Sequence, residues 1–109
     1  MATVIWSLNA QEEKRRLYLV GQLEFGTYIA NKTALRIKEI QKLLESFPKM
    51  GYKEQLLEER SLTYRACHIN KRFKIIYWYD EMKDLVVVED IWDMHRAPWN
   101  LVKRLNIEH

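Results

Sequence analysis

The spacing of hydrophobic residues changes midway along the chain, from helical repeats to strand-like runs. Thr3–Trp6 is a short β-branched and aromatic run that predicts a first strand. Apolar residues then recur at helical spacing over 11–29 and over 32–46, and charged side chains fill the opposite face of the second segment. We therefore expect two amphipathic helices that join near Asn31 and pack as an antiparallel hairpin on a flat surface.

The second half of the chain reads as strands. Pro48 stops the second helix, and the polar stretch to Ser61 predicts a loop with part of a helical turn. Runs rich in Tyr, Ile and Val predict strands over 63–69, 72–79 and 85–92. A short helix over 99–105 follows. The order β-αα-βββ-α predicts one α+β domain over 1–109, with the N-terminal helical hairpin packed on one face of a mainly antiparallel four-stranded sheet.

A two-residue turn at residues 70–71 would fix which side chains share a face of the sheet. The apolar face should receive the helices, and it would hold Tyr64, Ala66, His68, Phe73, Ile75, Tyr77 and Tyr79. The opposite face would hold a set that we call the basic strip, formed by Arg65, Arg72, Lys74 and Trp78. Basic groups beside an aromatic ring suit phosphate contact and base stacking, so the strip is a candidate nucleic-acid-binding surface. The alternative is an ordinary solvated face with snorkelling stems.

His95 and Arg96 follow the last predicted strand, where loops often present functional groups. Histidine is the usual side chain for proton transfer near neutral pH, so His95 is a candidate general acid or base, although an exposed loop histidine is the simpler interpretation. Arg96 extends the basic strip. Glu89 and Asp90 are adjacent on a strand, so we expect them on opposite faces and unable to act as a pair.

Composition limits the remaining classes of function. The 109 residues carry a formal charge of +3, which weakly favours an anionic partner. The single cysteine, Cys67, excludes an internal disulfide. HExxH, CxxC and glycine-rich phosphate motifs are absent from the sequence, so we expect no metal and no cofactor. Neither a signal peptide nor a membrane-length apolar run is present, which favours a cytoplasmic protein without a membrane partner.

Several local strings, taken together and in this order, resemble the RelE/ParE superfamily of toxins. They are Val4–Ser7 before a helix, Leu44–Gly51, Tyr64-Arg65, Arg72–Tyr77, Val86–Trp92 and Arg96. The resemblance spans nearly the whole chain and rests on the joint occurrence of strings that are individually unspecific. It implies a RelE/ParE-like fold and a cytoplasmic toxin of a type II toxin–antitoxin (TA) system, also called a plasmid stabilisation protein.

The resemblance also implies partners and site residues. RelE-like members cut messenger RNA at the ribosome without metal, whereas ParE-like members poison DNA gyrase, and fold alone does not choose between them. RelE-like toxins have basic side chains at the positions matched by Arg65, Lys74 and Arg96, which with His95 become the candidate catalytic residues. Two departures are Cys67, where RelE has a lysine, and Trp99, where its tail has a tyrosine.

Ribosome-dependent mRNA cleavage is the leading hypothesis, because His95 and Arg96 join the basic strip. Gyrase poisoning, a nucleic-acid-binding module without catalysis and an inactive homologue are the alternatives. A cognate antitoxin is expected to cover the sheet face or the helical hairpin with a segment that folds on binding. Homo-oligomer formation stays open.

Overall fold

The N-terminal hairpin follows directly from the first strand. The computed structural model describes residues 1–105, with β1 at Thr3–Trp6, α1 at Leu8–Phe25 and α2 at Thr27–Ser46. Gly26 separates the helices with a φ of 87°, a backbone conformation that favours glycine. The predicted junction near Asn31 is therefore wrong, because Asn31 lies inside α2.

The rest of the described chain builds most of the sheet. Its elements are β2 at Tyr52–Lys53, a 3₁₀ helix at Gln55–Leu57, β3 at Tyr64–His68, β4 at Phe73–Asp80, β5 at Leu85–Asp93 and α3 at Pro98–Arg104. Within residues 1–105 the strands form one five-stranded sheet in the order β1-β5-β4-β3-β2. β1 runs parallel to β5 and the other pairs are antiparallel.

The predicted fold class and element order are thus confirmed, and the predicted count of four strands is wrong. The additional strand, β2, has two residues, too few for any alternating pattern. The predicted domain boundary at 109 is not tested, since residues 106–109 lie outside the described part of the chain. No helix in residues 1–105 is long and apolar enough to cross a membrane.

Strands β3 and β4 pair one residue away from the predicted register. His68, not Cys67, lies opposite Lys74. The connection runs over residues 69–72, because the Asn70 side chain accepts hydrogen bonds from the backbone N–H groups of Arg72 and Phe73 and so closes a wider turn.

This shift separates the predicted basic strip. Side chains alternate along a strand, so Arg65 joins the hairpin-facing side, while Lys74 and Trp78 point to the other side of the sheet, which we call the second face. The prediction that these residues share one open face is therefore wrong. Tyr64 and Ala66 also lie on the second face, whereas we expected them under the helices.

Each face of the sheet carries a hydrophobic core in the described residues. Under the hairpin, the core includes Ile37, Ile40, Leu44, Ile75, Tyr77, Val86, Val88 and Ile91. On the second face, the core includes Leu57, Tyr64, Ala66, Ile76, Trp92, Leu101 and Leu105. The 3₁₀ helix and α3 supply part of this second core, so the second face is not the open surface that we expected.

A β-bulge in β5 changes where two carboxylates point. Ile76 lies opposite Asp90 and Tyr77 opposite Val88, which leaves Glu89 as the extra residue. Glu89 accepts a hydrogen bond from the indole of Trp78, and Asp90 pairs with a residue of α3, so both approach groups of the second face. The expected placement on opposite faces is wrong because the bulge interrupts the alternation of side chains.

Candidate functional site

One end of the sheet collects most of the candidate chemistry. His68 is the last residue of β3, Lys74 the second of β4, and Trp92 the last but one of β5. They form a row, since Lys74 lies opposite His68 on one side and Trp92 on the other. Neighbouring strands are about 4.8 Å apart, so the row spans roughly 10 Å of backbone. We call this row, the loop 69–72 and the turn 93–96 the charged end of the sheet.

Lys74 is held by Glu54 in the interior. Their exposed fractions are 7% and 6%, and Nζ of Lys74 lies 2.5 Å from Oε2 of Glu54. The other carboxylate oxygen of Glu54 accepts a hydrogen bond from the N–H of Leu56. A buried ammonium needs such a partner, because removing an unpaired charge from water costs several kcal/mol. The charge of Lys74 is therefore matched inside the protein and is not displayed openly.

Tyr52 connects this buried pair to the surface. Its hydroxyl lies 3.5 Å from Nζ of Lys74 and 2.9 Å from Nε2 of His68. The rings of Tyr52 and His68 meet edge to face, with centroids 5.6 Å apart. Both residues are exposed, so the expected core position of His68 is wrong. Sequence reasoning missed Glu54 and Tyr52, which were assigned to a polar loop.

Asp93 organises the turn that carries His95. It accepts hydrogen bonds from the Arg72 guanidinium, the shortest at 3.0 Å, and from the backbone N–H of His95 at 2.9 Å. Partial burial acts to raise the pKa of Asp93, but the hydrogen bonds from Arg72 and His95 outweigh it and lower the pKa. His95 is exposed, and the Arg96 guanidinium lies 5.3 Å from the centre of the Trp92 ring. The turn is thus fixed at its base and presents His95 to solvent.

A cleft of about 660 Å³ opens between the helical hairpin and the charged end of the sheet. Its apolar wall includes Leu17, Val20, Phe25, Ile29, Phe73 and Ile91. Its lining includes five basic residues, Arg16, Lys71, Arg72, Arg96 and Arg104, and three acidic residues, Glu13, Glu24 and Asp93. We call this feature the hairpin cleft. Cations therefore exceed carboxylates along a largely apolar groove.

The remaining predicted site residues lie elsewhere. Arg65 donates hydrogen bonds to the backbone carbonyls of Lys49 and Gly51, so it holds the loop that follows α2. The Tyr77 hydroxyl accepts from the N–H of Gly51 in the same place, and burial raises the pKa of Tyr77 to about 12. Trp78 lies farther along β4, roughly 13 Å of strand from Lys74. The structure thus gathers Lys74, Arg72, His95 and Arg96 at the charged end, and it places Arg65 and Trp78 outside it.

The charged end offers proton-transfer groups and cations. Within residues 1–105, no three His, Cys, Asp or Glu side chains gather in a way that could hold a metal ion. Burial raises the pKa of the Cys67 thiol, which disfavours the nucleophilic thiolate form.

Solved structures provide the comparison with known proteins. A chain of the chromosomal ParDE TA system from P. aeruginosa matches with a TM-score of 0.66 and 17% identity, over 85% of this chain and 96% of that one. A metal-bound toxin from Helicobacter pylori matches with a TM-score of 0.61 and 11% identity, over 87% and 97% of the two chains. The YoeB dimer from Staphylococcus aureus matches with a TM-score of 0.54 and 19% identity, over 82% and 92%.

These likenesses cover nearly the full length of each neighbour, so they concern the whole fold and not one motif. No family model and no curated protein matches the sequence. With identities below 20%, the comparisons support the architecture alone. They confirm the RelE/ParE-like fold that the sequence predicted.

Proposed function

We propose that this chain, which has a RelE/ParE-like fold, is the toxin of a TA system and is neutralised in the cytoplasm by a cognate antitoxin. The observation that carries the proposal is the fold, shared at high coverage with structures described as a TA system, a toxin and YoeB. The sequence resemblance supports it independently, because its strings follow the same order of elements.

We propose further that the toxin cleaves messenger RNA at the ribosome without a metal ion. Such a reaction needs a base for the 2′-hydroxyl, cations for the phosphate and an acid for the leaving 5′-oxygen. In this proposal, His95 at the charged end of the sheet transfers the protons, and Arg72 and Arg96, which both line the hairpin cleft, bind the phosphate. Lys74 supports the site electrostatically from the interior, and Arg65 supports it by holding the loop that follows α2.

Induced expression in a bacterial host tests this proposal. Growth, protein synthesis and DNA synthesis are followed for the wild type, for His95→Ala/Arg96→Ala and for Lys83→Ala. Lys83 is an exposed cation in the turn between β4 and β5, at the opposite end of the sheet, and serves as the matched control. We expect rapid loss of protein synthesis in the wild type and the control, and none in the double variant, with circular dichroism showing that all three fold.

A gyrase poison is the second candidate, favoured by the likeness to the ParDE TA system. It predicts arrest of DNA synthesis that survives His95→Ala/Arg96→Ala. A nucleic-acid-binding module predicts salt-dependent RNA or DNA affinity without growth arrest. An inactive homologue predicts neither arrest nor nucleic-acid binding, and only complex formation with its partner.

The hairpin cleft is the surface that we propose for the antitoxin. Its apolar wall and excess of cations suit an acidic amphipathic segment that folds on binding. Peptides from the protein encoded by the neighbouring gene can be titrated calorimetrically against the wild type, Phe25→Ser and Arg16→Glu, with Lys32→Glu as the exposed control on α2. We expect weaker binding for the two cleft variants alone; equal affinity for all four proteins would exclude the cleft.

A further inference from the structure

A chain of hydrogen bonds crosses the second face from the interior to the surface. It begins at the buried carboxylate of Glu54, passes through the ammonium of Lys74 and the hydroxyl of Tyr52, and ends at Nε2 of the exposed His68. The residues come from β2, β3, β4 and the segment after β2, so the sheet pairing itself assembles them.

The order of donors in this chain has a chemical consequence. An ammonium can only donate, so Lys74 donates to the Tyr52 oxygen. Nε2 of His68 lies 2.9 Å from the Tyr52 oxygen, and in the His68 tautomer with its hydrogen on Nδ1 it accepts the Tyr52 hydrogen. This is the tautomer that the inference uses. A proton that leaves Nδ1 can be replaced at Nε2 from Tyr52, and Tyr52 can be replenished from Lys74.

We propose that His68 is a catalytic general acid of this toxin, with Tyr52 and Lys74 as positioning residues that supply its proton. The inference rests on the proposed cleavage of RNA. The 2′-oxygen loses its proton to His95 and bonds to phosphorus, and the bond from phosphorus to the 5′-oxygen breaks. The 5′-oxygen takes a proton from Nδ1 of His68, Nε2 takes one from Tyr52, and Tyr52 takes one from Lys74. The products are a 2′,3′-cyclic phosphate and a 5′-hydroxyl.

Stability alone gives a weak reason for this arrangement. An exposed hydrogen bond such as that between Tyr52 and His68 contributes only about 1 kcal/mol. A buried ion pair such as Lys74–Glu54 is typically no more stabilising than apolar residues of the same volume. The position gives a functional reason, because His68 ends β3 in the same row as Lys74 and Trp92, and the turn with His95 and Arg96 follows β5 at this end of the sheet.

A leaving group that needs no proton provides the decisive test. Ribosomes programmed with mRNA are incubated with the purified toxin, the cleavage site is mapped, and the 5′-oxygen at that site is then replaced by sulfur. His68→Gln removes the titratable ring and keeps a polar side chain. Lys53→Gln is the matched control, since Lys53 is the exposed residue beside Tyr52 on β2.

We expect His68→Gln to lower the cleavage rate of the oxygen substrate by about 10²- to 10⁴-fold, the usual contribution of a general acid, and to cleave the sulfur substrate at nearly the wild-type rate. Tyr52→Phe should displace the basic limb of the pH–rate profile and lower kcat while KM stays unchanged. Full activity of His68→Gln on the oxygen substrate would overturn the inference and leave the proposed function intact. An equal loss on both substrates would also overturn it, and absence of cleavage by the wild type would overturn the proposed function and the inference together.

Discussion

Replacing Asp90 tests how the C-terminal helix is attached to the body of the protein. Asp90 lies on β5 with no exposed surface, and its carboxylate pairs with Arg104 of α3 at 2.9 Å. Arg104 also reaches Glu13 of α1, at 3.3 Å, and Asn9. The variant Asp90→Asn removes the titrating group from this cluster and keeps the shape of its side chain.

The magnitude follows from the pKa of Asp90, which is about 6 compared with 3.8 for an unperturbed aspartate. Burial is the main cause; Arg104 acts against it and Glu13 adds to it. The folded state holds the proton of Asp90 more tightly than the unfolded state does. The stability that the protonated Asp90 contributes is therefore fully present below pH 3.8 and is lost as the pH rises through 6. A difference of about 2 units corresponds to an upper figure of roughly 3 kcal/mol.

The free energy of unfolding in urea, measured at intervals from pH 4 to pH 7, checks this reasoning. The wild type should lose up to about 3 kcal/mol relative to Asp90→Asn across this range, whatever the other carboxylates contribute. Glu59→Gln, which removes an exposed carboxylate, should run parallel to the wild type. Parallel curves for Asp90→Asn and the wild type would show that Asp90 is already ionised at low pH, and that burial does not dominate its ionisation.

Three further predictions concern stability. Lys74→Met should cost about 3–5 kcal/mol in urea unfolding because it leaves Glu54 buried without its partner, and Lys74→Met/Glu54→Leu should recover much of the loss. Gly51→Ala should lower the melting temperature, because the added carbon would lie 2.7 Å from a backbone oxygen. Gly21→Ala should raise the melting temperature, because Gly21 lies inside a helix and the nearest atom to its added carbon is 3.9 Å away; the free energy of unfolding should increase by roughly 0.5–1 kcal/mol. The pKa of Asp93 is lowered in the folded protein, so the stability that its carboxylate contributes should be lost as the pH falls. In urea unfolding at decreasing pH, Asp93→Asn should therefore lose less stability than the wild type.

The prediction of elements from sequence succeeded where the hydrophobic pattern was long. The runs over 63–69, 72–79 and 85–92 correspond within one residue to β3, β4 and β5. The helix junction was misplaced because apolar spacing continues through both helices. The helices separate at Gly26, whose positive φ of 87° is accessible to glycine, and this residue was the sequence signal for the junction.

The faces of the sheet were predicted less well than its strands, for a local reason. Asn70 followed by lysine favoured a two-residue turn, but its side chain caps two backbone N–H groups and closes a longer one. The resulting one-residue shift moves Arg65 to the side away from Lys74. The bulge at Glu89 has no separate sequence signal, and β2 is too short to leave one.

The site prediction had two parts, the face of the sheet on which each side chain lies and the end of the strand at which it lies, and the register error affects only the first. The face on which a side chain lies reverses when the register shifts by one residue, whereas the end of the strand on which it lies does not. His68, Lys74 and His95 therefore belong to the same end of the sheet under either register, and the basic strip exists under only one. The same end of the sheet also borders the hairpin cleft, where Arg72 and Arg96 lie. An antitoxin segment bound in the cleft, as proposed, would contact Arg72 and Arg96 of the proposed RNA site from the side of the hairpin, and it would leave His68 and Tyr52 uncovered on the second face.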